Sequence, residues 1–449
     1  MRMFKKIGCV GMVLCAVGCG LNMRDHYSTL KPSLVSGQMK VALQTIEAKK
    51  ESFYGRKNRL LFYMDKAMVL HLDGDYEASN HVLEEAKKAA QELWTESVSS
   101  HAAALISNDN TLPYPGEDFE LVMLHVLAAL NHMGKKDYSG AQVEARQVTS
   151  RLLALNDRYS EHQNVYRDDA FARWLSAKLA VSSGPTAQDW NEAWIDIKQA
   201  LEVYTQEYAV RYHTPLPALV LEDAALVLQS LGPDFASEWE TFKAKYGAVS
   251  VNPVDVKNKG EFLFIHQNGE APQKRDRFWT TFVGNGDIIR IAYPEFVRRP
   301  RRIHHAVVSV AGQKTIPQLM ENIEAVGIQN LQDHMARIKA KAVARQVAKY
   351  MAGAALQSAG EHKKGSGGAA MQLAGALWNV TSAVTEEADK RSWVTLPAEM
   401  AVGRVWLEPG EHTVRVDYMS VDGSVIDATQ FSVVVKAGET TFVSRRTFL

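Results

Sequence analysis

Between residues 31 and 247 apolar side chains recur at three- and four-residue intervals, the spacing that lines one face of an α-helix. Residues 60–88 predict two antiparallel helices: Ala67 and Leu70 lie on the first, Gly74, Asp75 and Tyr76 turn the chain, and Ser79, Leu83 and Ala86 lie on the second. Small side chains let the helices approach, and the aromatic ring after the turn fills the gap between them. A second pair is predicted from Ala129 through a turn at Asp137 and Tyr138 to Ala141 and Ala145. A third joins Ala177 to Trp190, Ala193, Ile197 and Ala200, and a half-unit at Gly37, Ala42 and Ile46 precedes them all. Leu216–Leu231 and Phe235–Tyr246 form a closing pair, broken at Gly232 and Pro233.

These units resemble tetratricopeptide repeats, whose period is about 34 residues. The small residues Ala42, Ser79, Ala141 and Ala193 are instead 37, 62 and 52 apart. That implies a divergent helical solenoid with insertions near 91–117 and 151–168. Beyond Gly247 the pattern changes. Glu261–His266 alternates and is followed by a tight turn at Asn268 and Gly269; further strands are predicted over Trp279–Val283, Asp287–Tyr293 and His305–Ala311. Gly284, Asn285 and Gly286 read as a hairpin turn. Helix returns over 317–359, and an uncharged run, Gly365–Val384, follows. From Ser392 strands resume, with turns at Glu408–Gly410 and at Asp422 and Gly423; His412–Tyr418, Phe431–Lys436 and Thr440–Ser444 alternate as half-buried strands do. The predicted class is α+β and multidomain: a repeat-like solenoid (31–247), a β-rich domain of sandwich type begun at 248–316 and completed at 392–449, and a helical insertion at 317–391 between its two parts.

Hydrophobic residues are 46% and charged residues 23% of the 449, a globular composition. Lys+Arg and Asp+Glu balance at 51 each, so no excess of basic charge points to nucleic acid. The three cysteines, Cys9, Cys15 and Cys19, all precede residue 20, which excludes a disulfide or a cysteine metal site in the folded body. They sit in a tripartite export signal: Arg2, Lys5 and Lys6, an apolar run from Ile7 to Val17, and Gly18 before Cys19. The run is about half of the ~20 residues a spanning helix needs. Ala16, Val17, Gly18 and Cys19 resemble a lipobox, with Ala16 where leucine is usual. The expectation is a signal peptide over 1–18, lipid on Cys19, and a tether over 19–30. Losing residues 1–18 removes three basic groups and no acid, leaving 48 basic against 51 acidic groups. Gly20 after the cysteine, by likeness to enteric sorting, points to the outer membrane with the body facing the periplasm.

Several motifs carry a wider resemblance. They are Pro113–Glu120, Val143–Arg146, Asn268–Pro272, Ala388–Trp393, Thr395–Ala398 and Leu407–His412. Over roughly residues 30–449 the chain resembles a family of repeat-containing lipoproteins of Gram-negative bacteria. Genes of that family often neighbour one for a lipoprotein that activates penicillin-binding proteins. The resemblance implies cell-envelope biology linked to peptidoglycan assembly, and no catalytic residue.

Candidate chemistry is sparse. Glu117, Asp118 and Glu120 crowd a predicted helix start, where acids complement the helix dipole and Asp118 is placed to cap it; paired carboxylates are also the equipment of acid–base catalysis. His304 and His305 are adjacent, with no cysteine or nearby carboxylate to complete a metal site. No zinc-protease, nucleophile-elbow or phosphate-loop motif occurs. Arg298, Arg299, Arg301 and Arg302 are a candidate anion-binding run. The concave face of the repeats, with Met64, Met68, His71, Met123, Val126 and Leu130 along it, is the candidate partner-binding groove. The expectation is a non-catalytic, lipid-anchored adaptor for envelope proteins, needing no cofactor or metal and binding no nucleic acid. Two alternatives stand beside it: a subunit of an oligomeric export or pore assembly that uses Gly365–Val384, and an enzyme acting on an envelope polymer.

Overall fold

The computed structural model describes residues 23–99, 110, 112–158, 166–249, 258–283, 287–362, 367–374 and 387–449. Cys19 and the signal, the turn at 284–286 and residues 375–384 of the uncharged run lie outside the described residues.

The first half is a stack of helix pairs: α1 (Met23–Val35) with α2 (Met39–Ala48), α3 (Arg59–Asp73) with α4 (Tyr76–Ser99), α5 (Asp118–Gly134) with α6 (Tyr138–Arg158), α7 (Ala170–Ala180) with α8 (Ala187–Val203), and α9 (Ala218–Leu231) with α10 (Ala236–Tyr246). Ala42, Ser79, Ala141 and Ala193 are each completely buried, where a larger side chain would hold the second helix away from the first. Gly74 closes α3 in the left-handed conformation (φ 82°), with Asp75 N–H donating to the Leu70 carbonyl. Asp75 and Asp137 then play the same part at successive turns, accepting from the backbone of Ala78 and Gly140.

The Tyr76 ring fills the space beside the end of the next pair: a Cβ built on Gly134 would overlap it. Gly134→Ala should therefore destabilise the fold by about 1–3 kcal/mol, the usual effect of overpacking. Urea unfolding checks this, and Tyr76→Ala in the same chain should relieve the clash.

Two expectations need correction here. The tether expected over 19–30 gives way to helix at residue 23, because α1 begins at Met23 and buries Met23, His26, Tyr27 and Leu30. The insertions expected near 91–117 and 151–168 begin as continuing helix, since α4 runs to Ser99 and α6 to Arg158. Two π-helical turns, Lys50–Tyr54 and Tyr204–Tyr208, carry no periodicity signal. Each turns a tyrosine inward onto a buried acid: Tyr54 onto Asp65 and Tyr208 onto Glu321.

The second half builds two four-stranded sheets and a separate hairpin. Strand β1 (Gly260–Asn268) pairs in parallel with β10 (Thr440–Thr447) and antiparallel with β7 (Glu399–Leu407), which pairs with β6 (Gln318–Glu321). The other sheet runs β5 (Gln313–Thr315), β4 (His305–Val310), β8 (Gly410–Met419), β9 (Val425–Val435). Phe262, Phe264 and Val405 of the first face Val308, Val416 and Val433 of the second across a common core, a sandwich. Strands β2 (Gln273–Val283) and β3 (Asp287–Val297) pair only with each other and lie on α11 (Ile323–Glu361), a helix of 39 residues.

The first sheet has two covered faces, because Leu263, Ile265, Met320, Met400 and Val402 join the helical core. Glu261–His266 alternates in sequence, yet all of β1 is buried. The turn at Asn268 and Gly269 does not fold β2 back onto β1, and the two strands are unpaired. Gly269 (φ 68°) instead lets the chain leave the sheet at a point where a Cβ would strike Arg301 and Ala398. Helix was expected from 317, but Gln318–Glu321 is β6 and the helix starts at Ile323 behind Asn322, whose side chain accepts from Ala325 N–H. Ser392–Ala398, expected as strand, is a buried irregular strap before β7. Turns at Gly410 and Gly423 stand where expected.

Candidate functional site

The candidate groove is filled by the chain itself. Met64, Met68, His71, Met123, Val126 and Leu130 are all buried, in one core with Leu263 and Ile265 of β1 and with Trp393, Val394 and Leu396 of the strap. Their reading as an exposed partner-binding surface is therefore corrected: the apolar inner stripe of the repeats is covered by the sheet and the strap. Polar contacts stitch the same junction. Asp65 on α3 accepts from Tyr27 and Tyr54 (2.7 and 2.9 Å) and, through its other oxygen, from Thr395 of the strap (2.8 Å). Burial pushes its carboxyl up to about 6 against the pull of those hydroxyls. Asn131 joins α5 to α4 by donating to Ser79 and Asn80. Its Oδ1 contacts His71 Nδ1 at 2.6 Å, and His71 Nε2 meets the Gln267 amide of β1 at 3.0 Å. Burial lowers His71 to about 4, so its ring is neutral and bridges the two amides.

The acidic motif before α5 faces the same strap. Glu117, and not Asp118, caps the helix, in a reciprocal capping box with Glu120. Glu120 accepts from Tyr114 (2.6 Å) and from the backbone of Trp393 (2.6 Å). Lys274 of β2 pairs with Glu117, and Arg391 binds Asp389, Asn58 and the Leu112 carbonyl. Motifs far apart in sequence, 113–120, 268–272, 388–393 and 395–398, thus meet along one seam. Ala271 N–H donates to the Leu396 carbonyl and Ala398 N–H to that of Asn268. Burial, with the Glu117 charge second, pushes Glu120 up to about 7.

The arginine run serves the seam as well. Arg298, Arg299 and Arg301 pair with Glu324 (3.5 Å), Glu270 (2.8 Å) and Glu399 (2.6 Å). These three are corrected from anion site to internal ties. Arg302 is exposed and makes no ion pair among the described residues. His304 and His305 face each other through Nδ1 at 3.2 Å. No group of three metal-ligating side chains occurs among the described residues. Nor is any described helix long and apolar enough to cross a membrane; of the uncharged run, 367–374 is a described helical segment with Leu373 exposed.

The surface that sequence reasoning missed is the β2–β3 hairpin. Ile289 and Ile291 pack on Ala342 of α11, which braces the ribbon. Outside that contact Phe278, Trp279 and Phe282 are 42%, 49% and 75% exposed, and the Arg290 guanidinium lies 3.5 Å from the centre of the Phe278 ring. The available signal was aromatics at adjacent positions, 278 and 279, which one buried face of a strand cannot hold together. Asp276 is taken by Lys390 and Glu295 by Arg277, whereas Arg275 and Arg290 have no acidic partner among the described residues. The hairpin therefore presents Phe278, Phe282 and Arg290 on the face turned away from α11, and Trp279 and Arg275 on the other. Compared with known proteins, the chain matches no family model and no curated sequence.

Proposed function

We propose that this chain is a non-catalytic adaptor of the bacterial cell envelope, held at the outer membrane by lipid on Cys19, facing the periplasm and linked to peptidoglycan assembly. It engages a protein partner through the β2–β3 hairpin, and the partner offers an apolar cleft rimmed by Asp and Glu. The observation that carries the reading is the exposed pair Phe278 and Phe282 with Arg290, which has no acidic partner among the described residues, on the ribbon face turned away from α11. Exposed aromatics clustered with arginine are the residues that dominate binding energy at protein interfaces. A ribbon braced by a helix holds them in place without further loss of freedom on binding. The cysteine motif and the signal before it support the anchor, and the family resemblance supports the envelope setting.

The test places a photo-crosslinking amino acid at position 282 of the full chain in its own cells, with position 434 on β9 as control. One discrete protein adduct is expected at 282 and none at 434, with the crosslinked partner peptide bearing Asp or Glu. The adduct should vanish in Arg290→Glu, and the mature N-terminus should be an acylated Cys19. Adducts only to a second copy of the chain would favour an oligomeric assembly and overturn the adaptor. Adducts only to lipid, or to an acid-free peptide, would overturn the proposed partner chemistry.

A further inference from the structure

A cavity of about 480 Å³ opens where the α1–α2 turn, the ends of α3 and α5, and strands β9 and β10 meet. That volume falls among those of small-molecule sites, which typically run from roughly 300 to 1,000 Å³. Leu34, Leu72, Met133 and Phe442 supply apolar wall, and His71, Gln267 and Arg446 supply polar atoms.

Arg446 is the anomaly. Its Nη2 donates to the strap carbonyls of Thr395 and Leu396 (3.2 and 3.0 Å), and the Phe448 ring lies 4.5 Å from the guanidinium. Its Nε and Nη1 are buried without a hydrogen-bond partner, as is Gln267 Oε1. Burying a cation without a counter-charge is costly, and burial lowers this guanidinium to about 9. Glu270 is the acid whose charge acts on Arg446, yet it is already bridged to Lys31 (2.6 Å) and Arg299 (2.8 Å). Three cations thus share one carboxylate. The neighbouring His71 is neutral, and Asp427 and Arg445 contribute one charge of each sign to the lining. The cavity around Arg446 is therefore short of negative charge, and its walls are mixed, with Leu72, Met133 and Phe442 forming an apolar strip among polar side chains.

We propose that this cavity binds an amphiphilic carboxylate, its anionic end against Arg446 and its apolar body along Leu72, Met133 and Phe442. The ligand's carboxylate supplies the counter-charge that the guanidinium lacks, and its tail leaves water for the apolar part of the wall. The proposal is independent of the hairpin and of any protein partner.

Decanoate is the probe and decanol its uncharged control, titrated calorimetrically into the purified full chain. Decanoate should bind at one site, and decanol should bind at least about tenfold more weakly, because a charge-assisted contact is lost. Arg446→Met should weaken decanoate by about tenfold or more on the same grounds. Leu72→Trp, which narrows the cavity and leaves Arg446 in place, should abolish binding and decides the matter where Arg446→Met does not fold. Equal binding of decanoate and decanol, undiminished binding to Leu72→Trp, or no decanoate binding to the wild type would each overturn the site.

Discussion

Arg404→Met should be the most damaging single change in the described structure, lowering stability by about 3–5 kcal/mol, the usual cost of breaking a buried ion pair by removing one partner. Arg404 on β7 pairs with Asp223 of α9, with Glu261 of β1 (3.1 Å) and with Glu222 (3.0 Å), and donates to the Leu219 carbonyl. Lys178 of α7 lies on the other side, 2.6 Å from Glu261 and 3.3 Å from Asp223. Trp174 and Thr440 donate to the same two acids. Two cations therefore balance two deeply buried carboxylates at the junction between the last repeats and the sheet. Without Arg404, one carboxylate faces burial with half its compensation gone. Burial pushes Asp223 up, but Arg404 and Lys178 outweigh it and hold the carboxyl below its ordinary range. A depressed acid contributes stability present above its unfolded pKa and lost as pH falls through the folded one. The variant should therefore lose most near neutral pH and least in strong acid. Urea midpoints at pH 7 and pH 3 check both statements. A loss below about 1 kcal/mol at pH 7, the scale of an exposed pair, would show that this cluster does not tie the two halves together.

The position of this cluster also explains what could be read from sequence alone. Contacts between neighbouring helices are local, so Ala42, Ser79, Ala141 and Ala193 marked the pairs correctly. Strands with one wet face kept their alternation, as β8 does in burying Val414, Val416 and Tyr418. Misreadings concentrate where the partner lies hundreds of residues away. Met64 and His71 look like groove residues until β1 and the strap, some 200 to 330 residues later, cover them. Arg298–Arg302 looks like an anion site because Glu270, Glu324 and Glu399 are scattered along the chain. Glu261–His266 gives no sign that both faces are buried, since helices cover the second. Residues 317–322 merged with the helix behind them because four residues of strand are too few to establish a period. The acidic motif was recognised as a helix start, but its cap shifted from Asp118 to Glu117 because Glu120 reaches back to the Glu117 N–H.

Glu120 yields the second large effect, and its sign is opposite to that of most acids. Burial comes first and the Glu117 charge second in raising its carboxyl from 4.5 to about 7 in the folded state. A raised acid contributes stability that is complete below its unfolded pKa and lost as pH rises through the folded one. Over that span of roughly 2.5 pH units, at about 1.4 kcal/mol each, ionisation of Glu120 removes on the order of 3 kcal/mol. Glu120→Gln carries no charge and still accepts from the Trp393 N–H, but its amide nitrogen cannot accept from the Glu117 N–H. The variant should start below the wild type at pH 4 and gain on it by about 3 kcal/mol between pH 4 and pH 8. The difference between the two proteins is the informative quantity, because the wild-type curve mixes opposing groups. His26 and His71, each lowered by burial to about 4, contribute stability present above the ordinary histidine range and lost as pH falls. Those terms are common to both proteins and cancel in the comparison. If the difference stays flat between pH 4 and pH 8, Glu120 is ionised in the folded state throughout, and the seam then neutralises it through Lys274 and Arg391 instead of through a proton.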